Sequence, residues 1–451
     1  MGKMTTMREG SLEAPTRHPI AWRDEDFYDE AKLDAEMRRV LDICHGCRRC
    51  FNLCDSFPRL FDLVDESKTG ELDSVDSKDF KPIVEACTLC DMCFLTKCPY
   101  VPPHSFNLDF PHLMLRYRAV EAKKNGVPFV DAQLAKTDRN GLLASFAPAI
   151  ANAASKVGSP LRPLLEKATG LHRDAELPKY TGQSFVLQAH ANAPTVNEAA
   201  PGFGRKAVIY ATCFGNFNEP EMGMAARAVL AKNGVQTQVV HPGCCGMPLL
   251  EQGDIPAVAA SADQVAKELN KWVDQGWDVI ALVPSCALML KFEWPLIVPE
   301  NAGVAKLAKA TFDLSEYIVD ISRKEGVAPG MQPVEGGVSI HIACHSRAQN
   351  FGQKGAEMLK LIPEIDLNVI ERCSGHGGSW GYKKENFDVA LKVGKPVARN
   401  VAQAGKGWMA SECPLAGLHI HQGVDKLGNG ATPRLVSHPI QLIARAYGLE
   451  G

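Results

Sequence analysis

The sequence predicts a multidomain protein of mixed α+β and α/β class, with a helical first domain followed by two small, related α/β modules. Three observations lead to this prediction. The chain has 451 residues, which is more than one ordinary hydrophobic core accommodates. Its first hundred residues contain two closely spaced runs of four cysteines. Beyond residue 204, short apolar segments typical of strands end in cysteine, and they recur as two series of three.

The two cysteine runs near the N-terminus predict a helical ferredoxin-type domain at residues 1–119. The first run reads C-x2-C-x2-C-x3-C, and the second reads C-x2-C-x2-C-x4-C followed by Pro99. Three thiolates on one tight loop can reach three irons of a cubane, whereas in two-cluster ferredoxins the fourth cysteine of each run binds the other cluster. We therefore expect two [4Fe-4S] clusters. Cluster one takes Cys44, Cys47, Cys50 and Cys98, and cluster two takes Cys54, Cys87, Cys90 and Cys93.

Composition favours metal binding by these thiols. The chain has 15 cysteines, and its first segment, MGKMTTMREGSLEAP, offers no apolar stretch for export, so we expect a cytoplasmic protein without a disulfide framework. Structural zinc uses pairs of cysteines and has no use for a third at the same spacing. The formal net charge of −3 indicates no nucleic-acid partner. The most apolar segments are too short to span a bilayer, so any membrane contact is expected to be peripheral, at the inner face, or made through a partner.

A helical connector at 120–204 leads into the first α/β module, at 205–330. Three segments of this module have the character of buried parallel strands, and amphipathic stretches separate them, as in βαβ units. Cysteines follow the strands at the sheet end where α/β proteins place their sites. The strands are predicted at 206–212, 235–240 and 278–284, and the cysteines that follow them are Cys213, Cys244, Cys245 and Cys286.

The same pattern, a strand followed by cysteine, recurs three times in a second module, at 336–449; we call each occurrence a step. Its strands are predicted at 338–343, 367–372 and 407–412, and each is followed by a single cysteine. The three steps are offset from those of the first module by 131, 129 and 127 residues. Such regular spacing predicts two related modules, each a small layered α/β domain. The cysteines of the second module are Cys344, Cys373 and Cys413.

The cysteine pattern and several segments resemble a known family. Cys213, the Cys244-Cys245-Gly246 triplet and Cys286 resemble the cysteine-rich CCG domain of the heterodisulfide reductase family, as do SCALMLKFEWP, GYKKENF and the terminal HPIQLIARAYG. The sequence is most similar to the third subunit of anaerobic glycerol-3-phosphate dehydrogenase, and it also resembles the iron-sulfur subunits of glycolate and lactate oxidation. The resemblance implies two CCG modules after the ferredoxin-type domain.

The sequence departs from the family motif, which ends in Cys-x-x-Cys. In the first module we expect Met289, which we do not count as a ligand, to stand in place of the second cysteine; the four remaining thiols suffice for a third [4Fe-4S] cluster. In the second module Ser374 and Ala416 replace two cysteines, and three thiols remain. A Cys3His zinc site, a cluster with a non-cysteine ligand, and a vestigial module with free cysteines all stay open there. Histidines near these thiols are His341, His345 and His376.

The resemblance implies an iron-sulfur electron-transfer subunit of an oxidoreductase complex. A flavoprotein dehydrogenase of the glycerol-3-phosphate, glycolate or lactate type would supply electrons, and a quinone or another acceptor would receive them singly. The sequence contains no G-x-G-x-x-G after a strand, no P-loop and no nucleophile elbow, and we assign no catalytic residue. Two alternatives stay open. One is a catalytic role like that of heterodisulfide reductase. The other is electron supply to a rubrerythrin-type peroxide-reducing protein, because the segments ERCSGHGG and SECPLAGLHIHQG resemble a branch of the family that is associated with such proteins.

Overall fold

A computed structural model describes residues 14–428 and 432–449 of the chain. The chain divides into two units, Met1–Gly126 and Val127–Gly451. The N-terminal segment on which the expected cytoplasmic location depends, residues 1–13, lies outside the described part. None of the described helices combines the length and the apolar character needed to cross a bilayer.

Unit 1 is built from helices in its described part. The first helix begins where the Asp29 carboxylate accepts hydrogen bonds of 2.9 Å from the backbone N–H groups of Ala31 and Lys32, which is a regular N-cap. It ends at Cys47, because Arg48 adopts a left-handed φ of 51°. The first cysteine run therefore starts in the last turn of this helix, and the last helix continues past the predicted domain end at 119. The helices are α1 (Glu30–Cys47), α2 (Ser56–Asp65), α3 (Lys81–Ala86) and α4 (Phe110–Asn125).

The connector at the start of unit 2 consists of five short helices. Arg162 holds its middle part together, because the buried guanidinium donates hydrogen bonds to four backbone carbonyls, those of Ser155, His172, Arg173 and Ala175. The helices are α5 (Phe129–Leu134), α6 (Thr137–Phe146), α7 (Pro148–Ser155), α8 (Arg162–Thr169) and α9 (Phe185–Ala191).

The first module of unit 2 contains a four-stranded parallel sheet, which confirms the predicted α/β architecture. Its strand order is β2-β1-β3-β4, and crossover helices connect the strands. The strands are β1 (Lys206–Tyr210), β2 (Gln236–Val240), β3 (Asp278–Ala281) and β4 (Thr311–Asp313), and the helices are α10 (Cys213–Phe217), α11 (Pro220–Lys232), α12 (Met247–Glu251), α13 (Ile255–Val273), α14 (Pro284–Leu288), α15 (Trp294–Ile297), α16 (Ala302–Ala310) and α17 (Leu314–Lys324).

The second module repeats this arrangement in a separate parallel sheet with the order β6-β5-β7-β8. The three strands predicted in each module are present and shorter than predicted, and the fourth strand of each sheet is an addition. The strands are β5 (Val338–His341), β6 (Leu367–Ile370), β7 (Trp408–Ser411) and β8 (Arg434–Val436), and the helices are α18 (Cys344–Arg347), α19 (Lys354–Leu359), α20 (Phe387–Ala404), α21 (Pro414–Leu427) and α22 (Ile440–Ala446).

The register of the two sheets corrects the third step of the repeat. Tyr210 and His341 each lie three residues before the first cysteine of their module, and they pair with Ala281 and Ser411, respectively. The interpretation that placed Met289 at the missing cysteine is therefore wrong. The first module lacks the first cysteine of Cys-x-x-Cys, and the second module lacks the last. In this register Val283, Pro284 and Cys286 correspond to Cys413, Pro414 and Ala416.

Candidate metal centres

The cysteines of unit 1 gather in two interleaved groups. Burial raises the pKa of the Cys44 thiol well above its usual value, and the charges of Cys98, Cys50 and Cys47 raise it further. Cys98 ends the second cysteine run, so the chain returns this residue to the first group. The first group therefore contains the four thiols that the sequence predicts for cluster one.

The second group forms around Cys93. Its pKa is raised well above the usual value, first by burial and then by the charges of Cys87, Cys90, Cys54 and, least of these, Cys50. Cys54 thus joins the cysteines of the other run, as the two-cluster ferredoxin pattern predicts. The influence of Cys50 on Cys93 also indicates that the two groups adjoin. Ligation itself stays a prediction for all eight residues.

Backbone and side-chain hydrogen bonds fix the second run. Leu89 adopts a left-handed φ of 49°, and its N–H donates to the sulfur of Cys87, whose pKa burial nevertheless raises to about 11. Arg118 donates to the carbonyls of Val84, at 2.7 Å, and of Cys87. Arg17, which sequence reasoning missed, holds the buried Asp91 carboxylate of this run through a 2.7 Å ion pair. The thiols are therefore held in a shaped loop.

The first module of unit 2 brings its four thiols together at the carboxyl ends of β1, β2 and β3. The Cys245 and Cys286 sulfurs are 3.1 Å apart, and Cys213 makes a side-chain contact with Cys244. The N–H of Gly246 donates to the Cys244 sulfur at 3.4 Å. In a sheet of order β2-β1-β3, the chain adds β2 on one side of β1 and β3 on the other. The crevice between the carboxyl ends of β1 and β3 is therefore the point where the strand order reverses, which is the usual ligand position in this architecture.

Three side chains that sequence reasoning did not select surround these thiols. The Tyr210 hydroxyl donates to the Gly243 carbonyl at 2.6 Å, immediately before Cys244. Trp294 donates its indole N–H to the Cys245 carbonyl at 3.1 Å, and the Thr137 hydroxyl donates to the Cys244 sulfur at 3.4 Å. Of the three, only Tyr210 had a signal in the sequence, because it ends a strand three residues before a cysteine.

The second module keeps the same scaffold around fewer thiols. Cys373 contacts Cys344, and this hydrogen bond is the main cause that lowers the pKa of Cys373 to about 7. The N–H of Gly375 donates to the Cys373 sulfur at 3.4 Å, as Gly246 does to Cys244. His341 takes the place of Tyr210, since its Nε2 lies 2.9 Å from the Arg372 carbonyl.

This arrangement removes His341 from the possible metal ligands. Because a carbonyl only accepts, Nε2 carries the proton, and Nδ1 accepts from the Ser411 hydroxyl at 2.9 Å. Burial lowers the pKa of His341 to about 4, so the ring is neutral at pH 7. Ser411 in turn accepts from the N–H of Cys413 at 3.3 Å. Both ring nitrogens are therefore engaged in hydrogen bonds within the module, and neither is available to a metal.

Cys413 stands close to the first module. Burial raises its pKa to about 11, with a smaller contribution from the charge of Cys286. His345 also joins the modules, since its Nδ1 lies 2.7 Å from the Ser285 hydroxyl. His376 and Tyr382 lie deeper in the second module, with ring centroids 5.0 Å apart. Within the described residues, His376 Nδ1 and the Tyr382 hydroxyl have no hydrogen-bond partner.

The donor sets fit iron-sulfur clusters better than single metal ions. Among the described residues, no three His, Cys, Asp or Glu side chains converge where one metal ion would sit. A cubane makes a different demand, because its four thiolates bind four irons and accept backbone N–H donors at sulfur. The thiols of the first module meet that demand in donor type and in the Gly246 N–H. A cavity of ≈ 620 Å³ is lined by Val240, His241, Pro242, Glu268, Lys271, Trp272 and Gln275.

Comparisons with known proteins agree with the sequence resemblance. Residues 207–291 match the family model CCG, described as a cysteine-rich domain. The chain is 26% identical over 318 residues to a subunit of the anaerobic glycerol-3-phosphate dehydrogenase of Escherichia coli, covering 69% of this chain and 76% of that protein. It is 26% identical over 288 residues to a subunit of the CoM/CoB fumarate reductase of Methanothermobacter marburgensis, covering 62% and 55%. It is 25% identical over 187 residues to lactate utilization protein A of Bacillus pumilus, covering 40% and 75%.

Proposed function

From the CCG domain at 207–291 and the confirmed resemblance to CCG-domain iron-sulfur proteins, we propose that this chain is an electron-transfer subunit of an oxidoreductase complex. It passes single electrons between a flavoprotein dehydrogenase and a quinone or another acceptor. The names of its relatives, which include subunits of a dehydrogenase and of a reductase, support a redox partner. When bound, iron-sulfur clusters supply one-electron redox sites whose potentials depend on burial and on hydrogen bonds to sulfur.

The interleaving of the cysteines in unit 1 carries this proposal. Cys98 groups with the first run and Cys54 with the second, which is the exchange of fourth ligands that a two-cluster ferredoxin requires. Structural zinc binds pairs of cysteines in tetrahedral sites and has no use for the third cysteine that stands at the same spacing in both runs. We therefore infer that residues 1–119 form a ferredoxin-type domain with two [4Fe-4S] clusters.

The first module would hold a third cluster through Cys213, Cys244, Cys245 and Cys286. The chain prepares this site in two ways. The Gly246 N–H and the Thr137 hydroxyl donate to the Cys244 sulfur. Such hydrogen bonds stabilise a thiolate and would tune the reduction potential of a bound cluster. The hydrogen bonds of Tyr210 and Trp294 fix the backbone on either side of the adjacent cysteines.

A catalytic role is the second candidate, and the position of Cys413 favours it. This thiol lies near Cys286 of the other module, so sulfurs from both modules adjoin, as a site that acts on a disulfide would require. Against it, Cys344 and Cys373 are the only other cysteines of the second module. We therefore keep electron transfer as the main proposal.

Iron and acid-labile sulfide analysis of protein purified without oxygen tests the proposal. Three [4Fe-4S] clusters correspond to about twelve irons and about twelve sulfides per chain. Reduced protein should show electron paramagnetic resonance signals of more than one cluster, and the purified flavoprotein partner should reduce them. A preparation that stably holds zinc and no sulfide would refute the proposal.

A further inference from the structure

Two thiols of the second module lie in contact beyond the carboxyl ends of neighbouring strands. His341 of β5 pairs with Ile370 of β6, and Cys344 and Cys373 each follow the paired residue of their own strand by three positions. The Ile342 N–H donates to the Ile370 carbonyl at 3.0 Å, so the two chains still run side by side after the paired residues. Cys373 makes a side-chain hydrogen bond with Cys344. The two cysteines are therefore close enough to form a disulfide without a change in the sheet.

These two thiols are too few to hold a cluster of their own. In the first module the corresponding pair, Cys213 and Cys244, belongs to a set of four thiols. In the second module Ser374 and Ala416 stand where further cysteines would be, so Cys413 is the only other thiol of that module. Among the residues that the structure describes, no three metal-binding side chains converge on one ion. The chemistry left to the pair is that of a dithiol.

The surroundings of the pair give the two sulfurs different roles. The Gly375 N–H donates to the Cys373 sulfur at 3.4 Å, and the Cys344 thiol donates to the same sulfur. The Arg347 guanidinium also acts on Cys373 through its positive charge. Donors and a cation favour negative charge on a sulfur, which makes Cys373 the attacking atom and Cys344 the resolving thiol. Both cysteines are partly exposed, so a small oxidant can reach them.

We propose that Cys344 and Cys373 form a reversible dithiol–disulfide site that hydroperoxides oxidise. The Cys373 sulfur attacks one oxygen of the hydroperoxide, the O–O bond breaks, and the other oxygen leaves as an alcohol, or as water from hydrogen peroxide. The Cys344 sulfur then attacks the resulting sulfenic acid, which forms the S–S bond and releases water. The two thiols lose two electrons and two protons, and the hydroperoxide takes them up. A low-molecular-weight thiol restores the pair by exchange and leaves as its own disulfide.

This activity goes beyond the proposed electron transfer and needs no cluster, because every group that takes part belongs to the second module. Peptide mapping after mild oxidation tests it. Reduced protein prepared without oxygen is treated with one equivalent of hydrogen peroxide, alkylated with iodoacetamide and digested with trypsin. Cys344 is the only cysteine of the tryptic peptide 325–347, and Cys373 is the only cysteine of the peptide 373–383. Most chains should yield these two peptides joined by a disulfide, and dithiothreitol should separate them.

Serine variants distinguish the two roles. Cys344→Ser should leave the Cys373 sulfenic acid unresolved, so that dimedone labels Cys373 about tenfold more strongly than in the wild type. Cys373→Ser removes the attacking thiol, and Cys344 should then stay open to alkylation after the peroxide treatment. Cys413→Ser is the matched control, because it keeps both members of the pair and should yield the joined peptides as the wild type does. Circular dichroism of the untreated variants should match that of the wild type.

A wild-type protein that yields no joined peptides would overturn the proposal, and so would a disulfide from either cysteine to Cys413 in their place. Joined peptides that appear only in proportion to released iron would also overturn it, since the two thiols would then be former cluster ligands. Iron and sulfide contents that stay constant while the disulfide forms support the proposal. The iron content of the untreated protein reports separately on the proposed function.

Discussion

Replacing Cys245 by serine tests whether the first module holds a cluster through four cysteines. We choose serine because the second module has Ser374 after Cys373, at the position that corresponds to Cys245. Cys245 is 2% exposed, and its sulfur lies 3.1 Å from the Cys286 sulfur. Oxygen in place of sulfur leaves no large cavity, and the Trp294 hydrogen bond is made to the backbone carbonyl. A buried hydroxyl without a good partner costs about 1–3 kcal/mol, so the module should still fold.

The expected loss is one cluster of three, which is about four of about twelve irons and the same share of sulfide. Iron and sulfide analysis measures it, and electron paramagnetic resonance shows whether the signals of unit 1 persist. Cys413→Ser is the control, because it leaves all four thiols of the first module in place and should retain about twelve irons. The reasoning fails if Cys245→Ser keeps its iron. It also fails if Cys413→Ser loses as much iron while remaining folded, since the second module would then hold the missing cofactor.

Three further predictions concern the other sites. Cys50→Ser should remove about four irons, because it breaks the first group while leaving the four thiols predicted for cluster two; equal loss of both clusters would contradict independent sites. Tyr210→Phe should destabilise unit 2 by about 1–3 kcal/mol in urea unfolding, because the buried Gly243 carbonyl loses its 2.6 Å hydrogen bond; an unchanged midpoint would refute this. Burial lowers the pKa of His438 to about 3 from an ordinary 6.5, so the unfolded chain takes up a proton that the folded chain refuses. Stability should therefore fall as pH drops below about 6.5, by up to about 1.4 kcal/mol per unit, and His438→Asn, which can still accept the N–H of Ile440, should reduce this slope.

The sequence predicted the strands well because they depend on a local rule, whereas the sets of cluster ligands stay predictions. Buried parallel strands are short apolar runs, and each run beyond residue 204 that ends near a cysteine is a strand. The fourth strands, β4 and β8, escaped prediction because each has only three residues, too few to show a period. Most of the predicted strands extend too far towards the cysteine, because the apolar run continues after the chain has left the sheet.

The third step of the repeat shows what residue counting cannot see. The distance from Cys286 to Cys413 is close to the other two offsets, so it looked like the same repeat. Strand pairing fixes the comparison differently, because Ala281 and Ser411 occupy the same place in their sheets. Pro284 and Pro414, which begin α14 and α21, were the available signal, since proline is favoured in the first turn of a helix.

The two modules lack different cysteines of one motif and share the same support for it. Tyr210 and His341 each bind the carbonyl that precedes the first cysteine of the triplet position, and a glycine N–H donates to that cysteine in both modules. These hydrogen bonds involve strand ends and backbone, so they persist with four thiols or with three. The shape of the loops is therefore separable from the number of ligands. Substituting a thiol in either module should accordingly change metal content before it changes the fold, which is the physical basis for reading the cysteine variants through their iron content.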